Sequence, residues 1–187
     1  MKDEDLILGL INKRVSAINY FVNNYQQFVF ILCVKMLNDK EVAEEITQDV
    51  LIKCIDKITQ FKGDAKLKTW VYSIARREVL NYIRINKLQT LEITAVVENQ
   101  QQSNELEEQI DGDDLKLMID NHFNRLPIDQ KELMTLFYLQ ELSLKEIALA
   151  TELSESNVRV KLYRARENFR SLLSKKDITL LNQLRYG

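Results

Sequence analysis

The sequence predicts an all-α protein of two small helical domains, a helical bundle followed by a C-terminal helix-turn-helix domain, joined by an acidic flexible linker. Three observations predict it. The 187 residues include only four Gly and one Pro, far below the usual share of about 12% for these chain breakers, which excludes a turn-dense β-sandwich. Leu, Glu, Lys, Gln and Ala are abundant, and these are helix formers. The length suits one domain or two small ones at roughly 150 residues per domain, and 45% hydrophobic residues suffice for real cores.

Charge divides the chain. Residues 39–60 carry a net charge of -3 and residues 62–87 a net +5. Residues 92–120 carry -8, and residues 155–176 return to +5. Two basic segments therefore flank an acidic, Gln/Asn-rich stretch with little apolar content to bury. The expected organisation is a first domain over 1–88, a linker over 89–114 and a second domain over 115–187.

Several classes of protein are excluded. Cys33 and Cys54 are the only cysteines and His122 the only histidine, so a disulfide framework and a structural zinc site both lack partners. No cofactor, metal site or catalytic residue is expected. The N-terminal residues Lys2, Asp3, Glu4 and Asp5 do not form a secretion signal. The longest apolar run, Phe28 to Val34, is seven residues against the ~20 that a membrane span requires, so no membrane insertion and a cytoplasmic location are expected.

In the first domain, Val42, Ala43, Ile46, Val50, Leu51, Cys54, Ile55 and Ile58 recur at three- and four-residue spacing, which predicts a largely buried helix over 42–58. Its other face collects Glu41, Glu45, Gln48, Asp49, Ile52, Lys53 and Asp56. Ile52 within this acidic strip has two readings: a single exposed hydrophobe on a solvated face, or the centre of a protein-binding surface with a charged rim. Further on, Thr69 reads as the N-cap of a helix starting at Trp70. On that helix Ser73, Arg77, Leu80, Arg84 and Lys87 form one stripe with Arg76 beside it, a pattern that suits phosphates. Phe61, Trp70, Tyr72 and Tyr82 interleave with it, either as core or as platforms for unpaired bases.

In the second domain, Pro127 suits the first turn of a helix over 128–139. Ser143 and Glu146 form a capping box opening a short helix over 144–150. Thr151, Glu152 and Leu153 make a turn, and Ser154 caps a longer helix to about 173, together a helix-turn-helix. In the longer helix Val158, Leu162, Ala165, Phe169 and Leu172 form the inward face, and Ser156, Arg159, Val160, Tyr163 and Glu167 the outward one. Placed in a major groove, its N-terminal part (Glu155, Ser156, Asn157, Arg159, Val160, Tyr163) reaches base edges, while Lys161, Arg164 and Arg166 meet phosphate. Arg159 is the foremost candidate for a base contact, because its guanidinium can pair bidentately with guanine. The alternative is an ordinary helical hairpin with a solvated basic face.

Taken together, Ala43-Glu-Glu-Ile-Thr-Gln-Asp49, Leu67-Lys-Thr-Trp-Val-Tyr-Ser-Ile-Ala75 through Arg84, and the helix-turn-helix with Leu162-Tyr-Arg-Ala-Arg166 resemble the sigma-70 family of bacterial RNA polymerase sigma factors, specifically its compact extracytoplasmic-function group. The resemblance implies a non-catalytic subunit that joins core RNA polymerase, directs it to promoter DNA and assists strand opening, with an anti-sigma factor as a further expected partner. It implies core binding by Glu45, Gln48, Asp49, Ile52 and Lys53. It assigns the minus-ten element to Lys62, Lys66, Lys68, Trp70, Ser73, Arg76, Arg77, Arg84 and Lys87. It assigns the minus-thirty-five element to Ser156, Asn157, Arg159, Val160, Lys161, Tyr163, Arg164 and Arg166. The linker would thread toward the active-site and RNA-exit region. Glu45, Arg77, Asn81 and Glu152 stand where the family usually shows Asp, Asn, Asp and Gly; Arg77 adds a cation to the stripe, and Glu152 costs on the order of 1 kcal/mol where the turn requires positive φ.

Two other classes compete. A stand-alone helix-turn-helix regulator explains the second half but leaves the acidic strip and the Trp-bearing basic helix without a task. A metal-dependent hydrolase built on Glu41, Glu44, Glu45 and Asp49 lacks a converging second cluster, since Glu41, Glu45 and Asp49 share one outward helix face.

Overall fold

The computed structural model describes residues 2–94, 112–174 and 177–179, with the side chains of 87–94 and 112–114 outside the description. Eight α-helices are present among the described residues: α1 (Asp3–Ile11), α2 (Val15–Leu37), α3 (Lys40–Asp56), α4 (Leu67–Thr94), α5 (Gly112–Asn124), α6 (Ile128–Met134), α7 (Leu144–Thr151) and α8 (Glu155–Leu172). A 3-10 turn (Ile58–Gln60) follows α3, and α6 widens into a π-helical turn at Thr135–Leu139. The described residues form no strand.

α1 to α4 make the first bundle. Asn38 adopts the left-handed conformation (φ 55°) at the end of α2, and Asp39 then caps α3 by accepting from the Val42 amide at 3.1 Å, so the two helices form a tight hairpin. Phe21, Val29, Leu32 and Cys33 of α2, Val50 and Cys54 of α3, and Val71, Ala75 and Val79 of α4 are completely buried together. Gly9 lets α1 lie against α2, because a Cβ at that position would come within 2.5 Å of the Ala17 Cβ. The 42–58 periodicity corresponds to α3, whose buried residues are Ala43, Ile46, Thr47, Val50, Leu51 and Cys54.

The expected start of α4 needs correction. The helix begins at Leu67, and the Lys66 carbonyl accepts from the Thr69 and Trp70 amides. Thr69 is therefore a buried residue inside the first turn, not an N-cap. Its polar side chain suggests a cap, but Leu67, almost fully buried, seats the first turn three residues earlier.

α5 to α8 make the second bundle, centred on Leu133, Leu136, Ile147, Val158 and Leu162. Pro127 is the N-cap of α6, at φ -53°. Ser143 and Glu146 form the reciprocal capping box of α7, and Ser154 caps α8 through the Asn157 amide at 3.2 Å. The turn between α7 and α8 passes through Glu152 at φ 59° and ψ 28°, the left-handed conformation that glycine adopts without strain. Helical backbone continues to Thr94 in α4 and resumes at Gly112 in α5, inside both ends of the stretch expected as linker; residues 95–111 lie outside the described residues.

The two bundles pack on each other, with α2 against α6 and its π turn, and α4 against α7. Polar groups close this seam. Glu132 of α6, only 4% exposed, receives hydrogen bonds from the Tyr72 hydroxyl and Arg76 Nε of α4, each at 2.5 Å. Lys68 Nζ donates to the Gln140 carbonyl at 3.1 Å, Lys66 pairs with Glu146 at 2.7 Å, and Lys35 pairs with Asp120.

Candidate functional site

Three outward faces carry the residues singled out by the sequence. The first is on α3. Because one side of this helix is committed to α2 and α4, Glu45, Gln48, Asp49 and Ile52 are all exposed, Ile52 at 58%. Lys53 behaves differently: its ammonium turns toward α4 and binds Glu78 Oε2 at 2.5 Å. At the edge of the strip, Gln26, Gln27 and Phe30 of α2 line a cleft of about 370 Å³ with Gln48 and Leu51. Sequence reasoning missed these α2 residues, because their neighbour relationship to α3 is set by the hairpin and not by any local period.

The second face is on α4 and the loop before it. Ser73, Arg76, Arg77, Leu80, Asn81 and Arg84 line one wall of a cleft of about 580 Å³, and Ala150 and Glu152 from the α7 end line the other. Arg77 is exposed and Arg84 Nη2 donates to Asn81 Oδ1 at 2.9 Å, so neither is locked into an ion pair. Ser73 Oγ returns to the Trp70 carbonyl at 2.7 Å. Trp70 is half-buried and tilted at 59° against Phe61, centroid to centroid 5.6 Å. Lys62 is exposed, while the Lys87 side chain lies outside the described residues.

Two of the basic residues expected on this face are half-buried against the second bundle, Lys68 on the Gln140 carbonyl and Arg76 on Glu132, while Lys66 pairs with Glu146 and stays exposed. Tyr72, read above as a possible stacking platform, is completely buried in the seam. Burial, reinforced by the neighbouring Glu132 carboxylate, pushes its phenol well above the ordinary value, so it keeps its proton and donates.

The third face is on α8. Val158, Leu162 and Ala165 are buried, and Phe169 and Leu172 partly so. Ser156, Asn157, Arg159, Val160, Tyr163, Arg164 and Glu167 are exposed. Lys161 reaches back to Asp129 at 3.2 Å, and the Arg166 guanidinium lies over the Phe137 and Tyr138 rings at 5.4 and 5.6 Å. The face therefore presents one arginine and several short polar and apolar side chains at its N-terminal end, with flanking cations suited to a phosphate backbone.

Cys33 and Cys54 are free and buried, and burial pushes their thiols up to about 11 and about 12. Among the described residues no group of three His, Cys, Asp or Glu side chains could hold a metal ion. No described helix is long and apolar enough to cross a membrane.

The fold and its faces define a two-unit helical protein with a Trp-bearing basic helix in one unit and a helix-turn-helix in the other. Sigma-70 region 2 matches residues 21–88, and sigma-70 region 4 matches residues 116–169. The chain belongs to the sigma-70 family of RNA polymerase sigma factors, in its extracytoplasmic-function group. It is similar to the extracytoplasmic-function sigma factor SigM of Bacillus subtilis, 26% identical over 81% of this chain and 91% of the relative. It also resembles a probable RNA polymerase sigma factor of Haemophilus influenzae, 29% identical over 75% of this chain and 81% of the relative. Among solved structures, the Bartonella quintana sigma factor RpoE, crystallised with the anti-sigma factor NepR, shares the fold with a TM-score of 0.68 at 20% identity, covering 84% of this chain and 97% of that one. CnrH in complex with the cytosolic domain of CnrY gives 0.65 at 16% identity, covering 91% and 96%. A stand-alone regulator leaves the region 2 match unexplained, and the family is one of initiation factors, not of catalytic enzymes.

Proposed function

We propose that this sigma factor joins core RNA polymerase through the outward face of α3, engages the minus-ten element with the α4 face and reads the minus-thirty-five element with α8. The observation that carries the reading is Ile52: 58% exposed, at the centre of Glu45, Gln48 and Asp49, on a helix otherwise built into the core. An apolar centre with an anionic rim is the chemistry of a protein-binding patch. The basic faces of α4 and α8 suit DNA phosphates, and Arg159 suits a guanine edge.

In this reading the working units are 1–88, 89–114 and 115–187, the protein acts in the cytoplasm where its polymerase is, and an anti-sigma factor holds it inactive. The complex of the structurally similar sigma factor RpoE with the anti-sigma factor NepR supports that last expectation. In this reading the protein contributes binding free energy: contacts with core enzyme and with DNA phosphates offset the cost of strand opening. Run-off transcription with purified core enzyme on templates from the protein's own genome tests the proposal. A promoter-specific transcript that requires the added protein is the expected result. Tight, specific DNA binding without core, together with no transcript on any template, would instead favour a stand-alone regulator.

A further inference from the structure

Two flanking cations of α8 are held in different ways. Lys161 is drawn back to Asp129 by an ion pair at 3.2 Å, whereas the Arg166 guanidinium lies over two rings, Phe137 at 5.4 Å and Tyr138 at 5.6 Å. Both rings come from the π turn that extends α6, where the Gln140 amide reaches back five residues to the Thr135 carbonyl at 3.0 Å. Turns of this kind are rare and frequently lie at functional sites. Here two successive aromatic side chains face one guanidinium, and their rings meet edge to face at 5.0 Å and 81°. Tyr138 is 50% exposed, and Arg166 is exposed as well.

We propose that Phe137 and Tyr138 are positioning residues for DNA: the π turn presents them as a two-ring shelf that fixes the Arg166 guanidinium on the flank of α8, ready to donate to a backbone phosphate. This rests on the reading of α8 as the minus-thirty-five helix. Arg159 and Arg166 are seven residues apart, so they share one side of α8, about 10 Å from each other along its axis. An arginine for a base edge and an arginine for the neighbouring backbone are therefore offered together. Contact with a ring neutralises no charge and uses no hydrogen-bond acceptor, so the guanidinium keeps its donors for phosphate. An ion pair would not do this, because a carboxylate competes for the same donors. The shelf also orders a long side chain before DNA arrives, and ordering that is complete in the free protein does not weaken binding.

The test uses the complete holoenzyme and a fluorescent promoter duplex from a template that gives a run-off transcript, with affinity measured by anisotropy over a range of salt. Arg166→Gln is expected to weaken binding and to lower the salt slope by about 0.9, the loss of one phosphate contact. Tyr138→Leu is expected to weaken binding about threefold, the size of an exposed cation–π contact. Tyr138→Phe is expected to bind as the wild type does, because the ring and not the hydroxyl holds Arg166. Combined with Arg166→Gln, Tyr138→Leu is expected to cost nothing further.

A residue that only supports the fold would not give this pattern: its loss would weaken binding by the same factor with Arg166 present or absent. That result overturns the proposal, as does wild-type affinity in Tyr138→Leu or an unchanged salt slope in Arg166→Gln. A loss in Tyr138→Phe equal to that in Tyr138→Leu overturns it too, since the hydroxyl would then be the DNA contact. The minus-thirty-five reading is judged separately. If no template gives a transcript, or if Arg159→Ala with Arg164→Ala leaves promoter binding unchanged, that reading fails and the positioning with it; if that pair of substitutions abolishes binding while Tyr138→Leu binds normally, only the positioning fails.

Discussion

Tyr72 and Glu132, 60 residues apart in sequence, meet across the seam between the two bundles through a 2.5 Å hydrogen bond in which the phenol donates. Arg76 Nε, one helical turn along α4, donates to the same carboxylate oxygen. A carboxylate this deeply buried is stable only when its oxygens are satisfied, so the two donors act as a unit. Tyr72→Phe preserves the ring packing and removes one donor. The expected outcome is a loss of about 1–3 kcal/mol, read as a lower midpoint in urea with unchanged far-ultraviolet circular dichroism. An unchanged midpoint would mean that Arg76 alone satisfies Glu132.

Ile52 supplies the corresponding prediction for the outer surface. Because its side chain already faces solvent, Ile52→Asp should change folding stability by less than about 0.5 kcal/mol. Placed at the centre of an interface, the same substitution should cost at least about 2 kcal/mol of core affinity, roughly thirtyfold. Titration of fluorescently labelled protein with purified core enzyme measures this, and wild-type affinity in the variant would return Ile52 to the class of ordinary solvated hydrophobes.

The parts of the molecule legible in the sequence are those governed by local geometry. The inward and outward sets of α8 separate cleanly because a helix of 18 residues repeats its period several times. Ser143 and Glu146 announce the start of α7 because a capping box is a relationship between residues three apart. The exposure of Ile52 followed from the same arithmetic on α3. What stayed hidden are relationships between distant elements. Nothing in the local pattern around Tyr72 distinguishes a buried hydroxyl donor from a stacking platform, and nothing around Lys66, Lys68 or Arg76 says that their partners are Glu146, Gln140 and Glu132. The π turn at Thr135–Leu139 was also invisible, since one extra residue in a turn barely alters a short apolar pattern. Basic residues could be counted from sequence; which of them are free could not.

Glu152 is a position where the residue type and the backbone disagree. At φ 59° a Cβ costs on the order of 1 kcal/mol that glycine does not incur. Glu152→Gly should therefore raise the stability of the helix-turn-helix by about 1 kcal/mol, measured by denaturant unfolding. Glu152→Ala removes the same carboxylate but keeps the strained Cβ, so it should show no such gain. If both variants gain equally, the charge on Glu152 is responsible and not its backbone.

Glu146 makes stability depend on pH in a defined window. Its carboxylate accepts from Lys66, 2.7 Å away, and from the hydroxyl and amide of Ser143, and these lower its value from 4.5 to about 2. A group held lower in the folded chain than in the unfolded one stabilises the fold while ionised, so its contribution is complete above about pH 5 and disappears as pH falls from 4.5 toward 2. Most of it belongs to the capping of α7, because the Lys66 side chain is 74% exposed and an exposed ion pair contributes little. The capping term is worth about 1 kcal/mol. Glu146→Gln retains a capping side chain but cannot titrate, so the stability difference between wild type and variant should be constant above about pH 5 and narrow by about 1 kcal/mol on acidification. Urea unfolding of both proteins across that range isolates the effect from the acid response of the other carboxylates, which the two proteins share. A difference that stays constant down to pH about 2 would show that Glu146 is no better solvated by its partners than by water.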